Sequence, residues 1–224
     1  FPIQFDRQWL TVSWALEGAC LVWLFRRVSH SGLLWTGLAL LAVSFVRLTF
    51  NPAVFSAYPR SGTAVFNWHL YAYGIVAAAH FLGAWWLPAA RRRLEKIDLA
   101  AALWSMGGIL LFLLLNIEIA DFFTEPGARF VTFEFAGNFA RDMTYTIAWG
   151  LFALALLVIG IWRRGKGARL AAIGLLAVTL LKLFLHDLAN IGNIYRIAAL
   201  VATGVIAFVA SFLYQRFFSN STEP

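Results

Sequence analysis

Seven runs of mostly apolar residues, separated by short polar or basic stretches, occupy nearly the whole chain. They lie at about 8–25, 33–50, 66–88, 98–120, 144–162, 168–188 and 195–215. A helix needs roughly 20 such residues to cross the hydrocarbon core of a bilayer. Backbone groups in lipid must satisfy one another, which leaves only helices and closed barrels. Barrel strands would alternate in polarity over about 10 residues, and these runs are continuous instead. The pattern predicts an all-α, polytopic transmembrane helix bundle forming a single domain over 1–218, with a polar tail at 219–224.

The basic residues orient this bundle. Arg26, Arg27, Arg91, Arg92, Arg93, Lys96, Arg163, Arg164, Lys166, Arg169 and Arg216 follow the odd-numbered runs, whereas only Arg7, Arg60, Arg129 and Arg141 fall on the opposite side. An excess of Lys and Arg marks the cytoplasmic side. The expectation is an external N-terminus and a cytoplasmic C-terminus. The longer external loops, about 51–65 and 121–143, hold Pro52, Pro59, Gly62, Pro126 and Gly127, which suit turns. Arg26 and Arg91 are 65 positions apart, as are Asn51 and Asn116, and the sixth run has the same basic start and polar end. This spacing suggests three related helical hairpins added to a first helix.

Composition agrees with a membrane setting. Hydrophobic residues make up 61% of the chain, charged residues 13%, and the mean hydropathy is +0.74. Soluble domains carry about 25% charged residues, so a soluble enzyme, a disordered chain and a coiled coil are excluded. A net charge of +7 reflects the loop bias rather than nucleic-acid binding. Cys20 has no second cysteine to pair with, and in its apolar run it reads as a small packing residue. Trp9, Trp23, Trp35, Trp68, Trp85, Trp86 and Trp162 lie near run ends, as interfacial belts require.

The polar residues within the runs gather at the ends assigned to the outer leaflet. Arg47 ends the second run, and Asn116, Glu118 and Asp121 end the fourth. Arg141 and Asp142 precede the fifth, Lys182, His186 and Asp187 end the sixth, and Tyr195 and Arg196 begin the seventh. Continued α-helical spacing would put Lys182, His186 and Asn190 on one stripe. Intramembrane charges normally face a bundle interior or a water-filled cavity. One reading is therefore an outward-facing polar cavity with Arg47, Lys182 and Arg196 set against Glu118, Asp121 and Asp187. In it Glu118, Asp142, His186 and Asp187 are the candidate acid–base groups, and Arg47, Asn116, Arg141, Lys182, Tyr195 and Arg196 the candidate substrate-binding groups. The other reading is that the same charges pair off and pin helix ends. His80, in the middle of the third run, reads as a packing histidine, and Glu17, deep in the first, as either a proton-relay group or a buried partner. No phosphate-binding loop, nucleophile elbow, zinc-ligand pair or dinucleotide fingerprint is present, and no metal is expected. The one arrangement that would admit a cofactor is a bis-histidine haem on His69 and His186.

Several of these segments are similar to one bacterial family. ARD at Ala140–Asp142, KLFLHDL at Lys182–Leu188, YRI at Tyr195–Ile197 and LYQRF at Leu213–Phe217 resemble the end of a family of predicted membrane proteins, catalogued as domain of unknown function two-three-three-nine. RLTFNP at Arg47–Pro52 and LNIEIADFF at Leu115–Phe123 extend the resemblance upstream, so that it covers the chain from about residue 33. It implies a bacterial inner-membrane protein of the cell envelope, and a C-terminal piece of a longer chain, which fits a start at Phe1. It implies no particular reaction. The expected partners are membrane lipid, a lipid-linked glycan or other envelope precursor, and further transmembrane segments. A structural or accessory subunit is the first alternative function and a transporter the second, the latter disfavoured by the apolar inner halves of the runs.

Overall fold

A computed structural model describes residues 7–51, 60, 66–88, 93–94, 97–134, 137–187 and 193–218. Among them are seven helices: α1 (Arg7–Phe25), α2 (Ser31–Phe50), α3 (Trp68–Trp86), α4 (Leu99–Phe123), α5 (Phe139–Trp162), α6 (Lys166–Lys182) and α7 (Asn193–Phe218). A two-stranded antiparallel hairpin, β1 (Arg93–Leu94) and β2 (Ile97–Asp98), leads into α4. Four helical segments are long and apolar enough to cross a membrane: Ser31–Phe50, Leu99–Phe123, Phe139–Trp162 and Lys166–His186. The protein is an all-α helical membrane bundle.

Each helix coincides with one apolar run, and the differences have local causes. α5 starts at Phe139, about one turn before the run that predicts it. Asn138 is its N-cap, with the side-chain oxygen accepting from the Arg141 N–H, and capping starts a helix regardless of the charges that follow. α6 ends at Lys182 and continues as one π turn, Leu183–Asp187. The α-helical spacing behind the Lys182–His186–Asn190 stripe thus stops at Lys182, and Asn190 lies outside the described residues.

The chain forms two compact units, residues 1–132 and 133–224. In the first, α1 packs on both α2 and α3, and α4 packs on α3. Val12, Ala15, Ala19 and Val22 of α1 meet Leu34 and Leu41 of α2 and Val76 of α3 in one buried core. α1 and α2 approach closely where two glycines cross: a Cβ on either Gly18 or Gly37 would lie 2.8 Å from the other's carbonyl oxygen. Small residues at such crossings are how membrane helices gain packing without a hydrophobic driving force. Cys20, expected as a packing residue, instead lies on the exposed side of α1, as does Glu17.

α3 is fastened to α2 by two side chains that reach backbone carbonyls. The Tyr73 hydroxyl donates to the Leu48 carbonyl at 2.8 Å. His80 is fully buried, with Nδ1 2.8 Å from the Val76 oxygen and Nε2 3.1 Å from the Leu41 oxygen. This is the packing histidine the sequence predicts, with each ring nitrogen facing a carbonyl oxygen and its N–H donating to one of them. The Leu48 bond has a reason in the sequence. The helical donor to that carbonyl would be residue 52, and Pro52 has no N–H. Tyr73→Phe should therefore strand a carbonyl and lower stability by about 1 kcal/mol, with a matching fall in thermal midpoint in detergent. An unchanged midpoint would show that the hydroxyl contributes nothing.

In the second unit α5 packs against both α6 and α7. The turn from α5 to α6 is tight, with Arg164 in the left-handed region at φ 53° and the Gly165 N–H donating to the Gly160 carbonyl. The strongest helix pairings are α1/α2, α3/α4 and α5/α6. Three hairpins are thus present, but the helix left over is the last one rather than the first. The 65-residue spacing does not mark equivalent positions either: Asn51 follows the end of α2, whereas Asn116 lies two turns inside α4.

Candidate functional site

Polar side chains cluster in each unit, and most of the partners are distant in sequence. In the first unit, Asp121 is buried near the end of α4 and accepts from Arg60 Nε at 2.5 Å. The same guanidinium donates through Nη2 to the Asp121 carbonyl at 2.6 Å and through Nη1 to the Glu125 carbonyl at 3.0 Å. Both carbonyls also accept from backbone N–H groups, of Thr124 and Ala128, and the added cation complements the dipole of the helix end. One turn back, Glu118 Oε2 accepts from Asn67 Nδ2 at 3.0 Å, and Asn67 also caps α3 by accepting from the Leu70 N–H. The other oxygen, Oε1, is buried and has no hydrogen-bond partner among the described residues. His69 is buried beside this group on the first turn of α3.

The remaining candidates of this unit make local contacts. Asn116 Nδ2 donates to the Phe112 carbonyl of its own helix. Arg47 lies over the Trp14 ring, 5.7 Å from its centroid, in a cation–π contact between α2 and α1.

The second unit holds the denser cluster. Arg141 and Asp142 sit in the first turn of α5. Arg141 is 4% exposed, and its Nη1 donates to Glu134 Oε2 at 2.9 Å. Its Nε is 3.9 Å from Asp142 Oδ1, a buried oxygen with no hydrogen-bond partner among the described residues. Lys182, at the end of α6, crosses to α5, where Nζ donates to the Asp142 carbonyl at 3.1 Å and to Thr146 Oγ1 at 2.9 Å. The π turn that follows carries His186 and Asp187; such turns recur at functional sites in helices. The side chains of Asp187, Tyr195 and Arg196 lie outside the described part of the structure.

Next to Lys182 is a cavity of about 300 Å³ between α5, α6 and α7. Met143, Ile147, Leu176, Leu180, Leu183 and Ile206 form most of its wall, and among the described residues Thr146, Thr179 and Thr203 are its hydroxyl-bearing lining residues. Thr146 turns its hydroxyl toward the Asp142 carbonyl and Lys182, and Thr179 bonds to the Leu175 carbonyl of its own helix. The space is therefore apolar, and Lys182 touches it only through its hydrogen bond to the lining residue Thr146.

Of the sequence candidates, the structure brings together Arg141, Asp142 and Lys182 in one unit, and places Glu118 close to Asp121 in the other. Asp121 pairs with Arg60, Arg47 lies over the Trp14 ring, and Lys182 donates to a hydroxyl and a carbonyl of α5. His69 and His186 belong to different units. Four participants carried no expectation of a role: Arg60, Asn67, Glu134 and Thr146. Asn67 was readable as a cap, since it is an asparagine at the start of the third run, directly before Trp68. The other three act through contacts that depend on loop paths or on helix facing.

Taken together, the helices, their buried charges and the apolar cavity define an integral membrane protein with polar groups concentrated at helix ends. The chain belongs to the predicted membrane protein family DUF2339, whose model matches residues 31–217. No curated protein and no solved structure matches it.

Proposed function

We propose that this protein binds an anionic amphiphile of the bacterial cell envelope, such as a lipid-linked glycan precursor, in its C-terminal unit. The observation that carries the reading is the apolar cavity, one of whose lining residues, Thr146, accepts a hydrogen bond from Lys182. A hydrocarbon chain suits the cavity, because apolar cavities stay dry and take apolar occupants. The volume is near the lower bound of about 300–1,000 Å³ for small-molecule sites, which fits part of a chain rather than a whole lipid. The Lys182 ammonium supplies a charge-assisted donor for an anionic head group at the cavity end. In this reading the bundle sits in the inner membrane with these helix ends outward, following the loop charge bias.

Binding alone does not assign chemistry. Asp142, whose carboxylate lies 3.9 Å from Arg141 Nε, is the first candidate for a proton-transfer role. Arg60 and Asp121, by contrast, are engaged in closing a helix end, which favours a scaffolding role for the first unit and supports the structural alternative for that part of the chain.

The test is the lipid that copurifies. Native mass spectrometry of the detergent-purified protein should show a retained anionic lipid, and Lys182→Met should reduce its occupancy about tenfold, the loss expected for one charge-assisted hydrogen bond. Equal retention by the variant, with an unchanged thermal midpoint, would remove this reading.

A further inference from the structure

Glu17 lies midway along α1, at a depth that α2 sets. The next residue, Gly18, is seated at the helix crossing, where a Cβ would lie 2.8 Å from the Gly37 carbonyl oxygen, 3.1 Å from Leu41 Cγ and 3.2 Å from Leu40 Cβ. Those three residues occupy the middle of α2, a helix long and apolar enough to cross a membrane. The nearer end of α1, Phe25, is about 12 Å of helix away, farther than a glutamate side chain reaches. Glu17 lies on the side of α1 turned away from its packing partners. It is exposed, and it makes no hydrogen bond or ion pair with any described residue.

A charged group at that depth is costly in hydrocarbon and is normally paired, so this face of α1 calls for a cover that supplies a partner. Acyl chains have none to offer. A symmetric pair of α1 helices would set Glu17 against Glu17. The rest of this chain supplies no cation at that depth either, since every basic residue in the described helices sits in a first or last turn. The shape of the face suits a helix. Leu10, Ser13, Glu17, Cys20 and Leu24 recur at intervals of three and four, the seam along which two helices pack side by side. Ser13 and Cys20 flank the carboxylate, and small residues there let a second backbone come close. Exposed Trp9, Leu16 and Trp23 border the seam on one side.

We propose that α1 docks against a transmembrane helix that carries a lysine or arginine at mid-membrane depth, and that Glu17 is the acid that recognises it. The face belongs to the first unit and the inference is independent of the cavity in the second. Packing along the seam holds the two helices together, and the ion pair selects between candidates: a helix of similar shape without the cation leaves Glu17 unpaired and is rejected. This gives the first unit a role in assembly.

Photo-crosslinking in native membranes tests this, with benzoylphenylalanine placed at position 20 of the full chain, one turn from Glu17 on the same face. The adduct should contain a membrane-spanning peptide with Lys or Arg near its middle. Glu17→Gln should cut that yield about tenfold, the loss expected for one charge-assisted hydrogen bond. Glu17→Lys should lose it as well and regain it when the cation of the captured helix is changed to glutamate. In detergent, the purified Glu17→Gln chain should unfold at the parent's thermal midpoint, because no described residue bonds to Glu17; a lost adduct is then a lost contact and not lost folding. A lowered midpoint would put the partner of Glu17 inside the unit and overturn the proposal. Adducts with lipid alone, with a second copy of this chain, or with a helix that has no mid-span cation would each overturn it too, as would full yield from Glu17→Gln.

Discussion

Replacing Arg60 with alanine is expected to destabilise the first unit by about 3 kcal/mol, the lower part of the range for removing one partner of a buried ion pair. The cost falls on Asp121, whose side chain is 5% exposed while that of Arg60 is 19% exposed. Without the guanidinium the buried carboxylate loses its donor, while the Asp121 and Glu125 carbonyls keep only the backbone N–H groups of Thr124 and Ala128. Arg60→Lys should recover only part of the loss, because one ammonium cannot reproduce a fork that reaches three oxygens. Asp121→Asn should cost less than Arg60→Ala, since a partly exposed arginine keeps its carbonyl bonds and its water. Thermal unfolding of the three variants in one detergent gives the order directly. If Asp121→Asn proved the most damaging, the guanidinium would not be acting as a helix-end cap.

The second large effect is expected at the α1/α2 crossing. In Gly37→Val the new Cβ would lie 2.8 Å from the Gly18 carbonyl oxygen and 3.0 Å from Val22 Cγ2. The first neighbour is backbone and cannot rotate away, so the two helices must separate. Overpacking typically costs about 1–3 kcal/mol and occasionally more, and a rigid backbone contact puts this site at about 3 kcal/mol. Gly18 mirrors the arrangement, with its Cβ 2.8 Å from the Gly37 carbonyl. The double variant Gly18→Ala, Gly37→Ala should therefore cost less than the sum of the singles, because the first substitution opens the space the second needs. Gly74→Ala is the control. Nothing lies within 4 Å of its Cβ position, and helix propensity alone should make it neutral or stabilising. Additive losses at Gly18 and Gly37 would show that the helices do not meet there.

The bundle could be read from the chain because two independent patterns agree. Apolar run length sets the helices, and basic residues in alternate gaps set their number. Hydropathy could not place the start of α5, where a cap takes precedence over the adjacent charges, or the switch to π geometry after Lys182. The polar candidates were found through depth alone, which explains both what was seen and what was missed. Depth picks out Arg141, Asp142 and Lys182 because charges at helix ends are visible as interruptions. It carries no information about who meets whom. Arg60 reaches Asp121 across 61 residues because of a loop path, and Thr146 receives Lys182 because of the rotation of α5. The cavity was unreadable for the same reason, since it is formed by the facing of three helices and not by any segment.

The two bonds between α2 and α3 also constrain motion. Tyr73 and His80 are seven residues apart on one helix, and the carbonyls they reach, Leu48 and Leu41, are seven apart on the other. Two latches of equal pitch engage at the same setting, so sliding α3 along α2 by one residue releases both at once. The two contacts act as a clasp that opens as a unit or not at all.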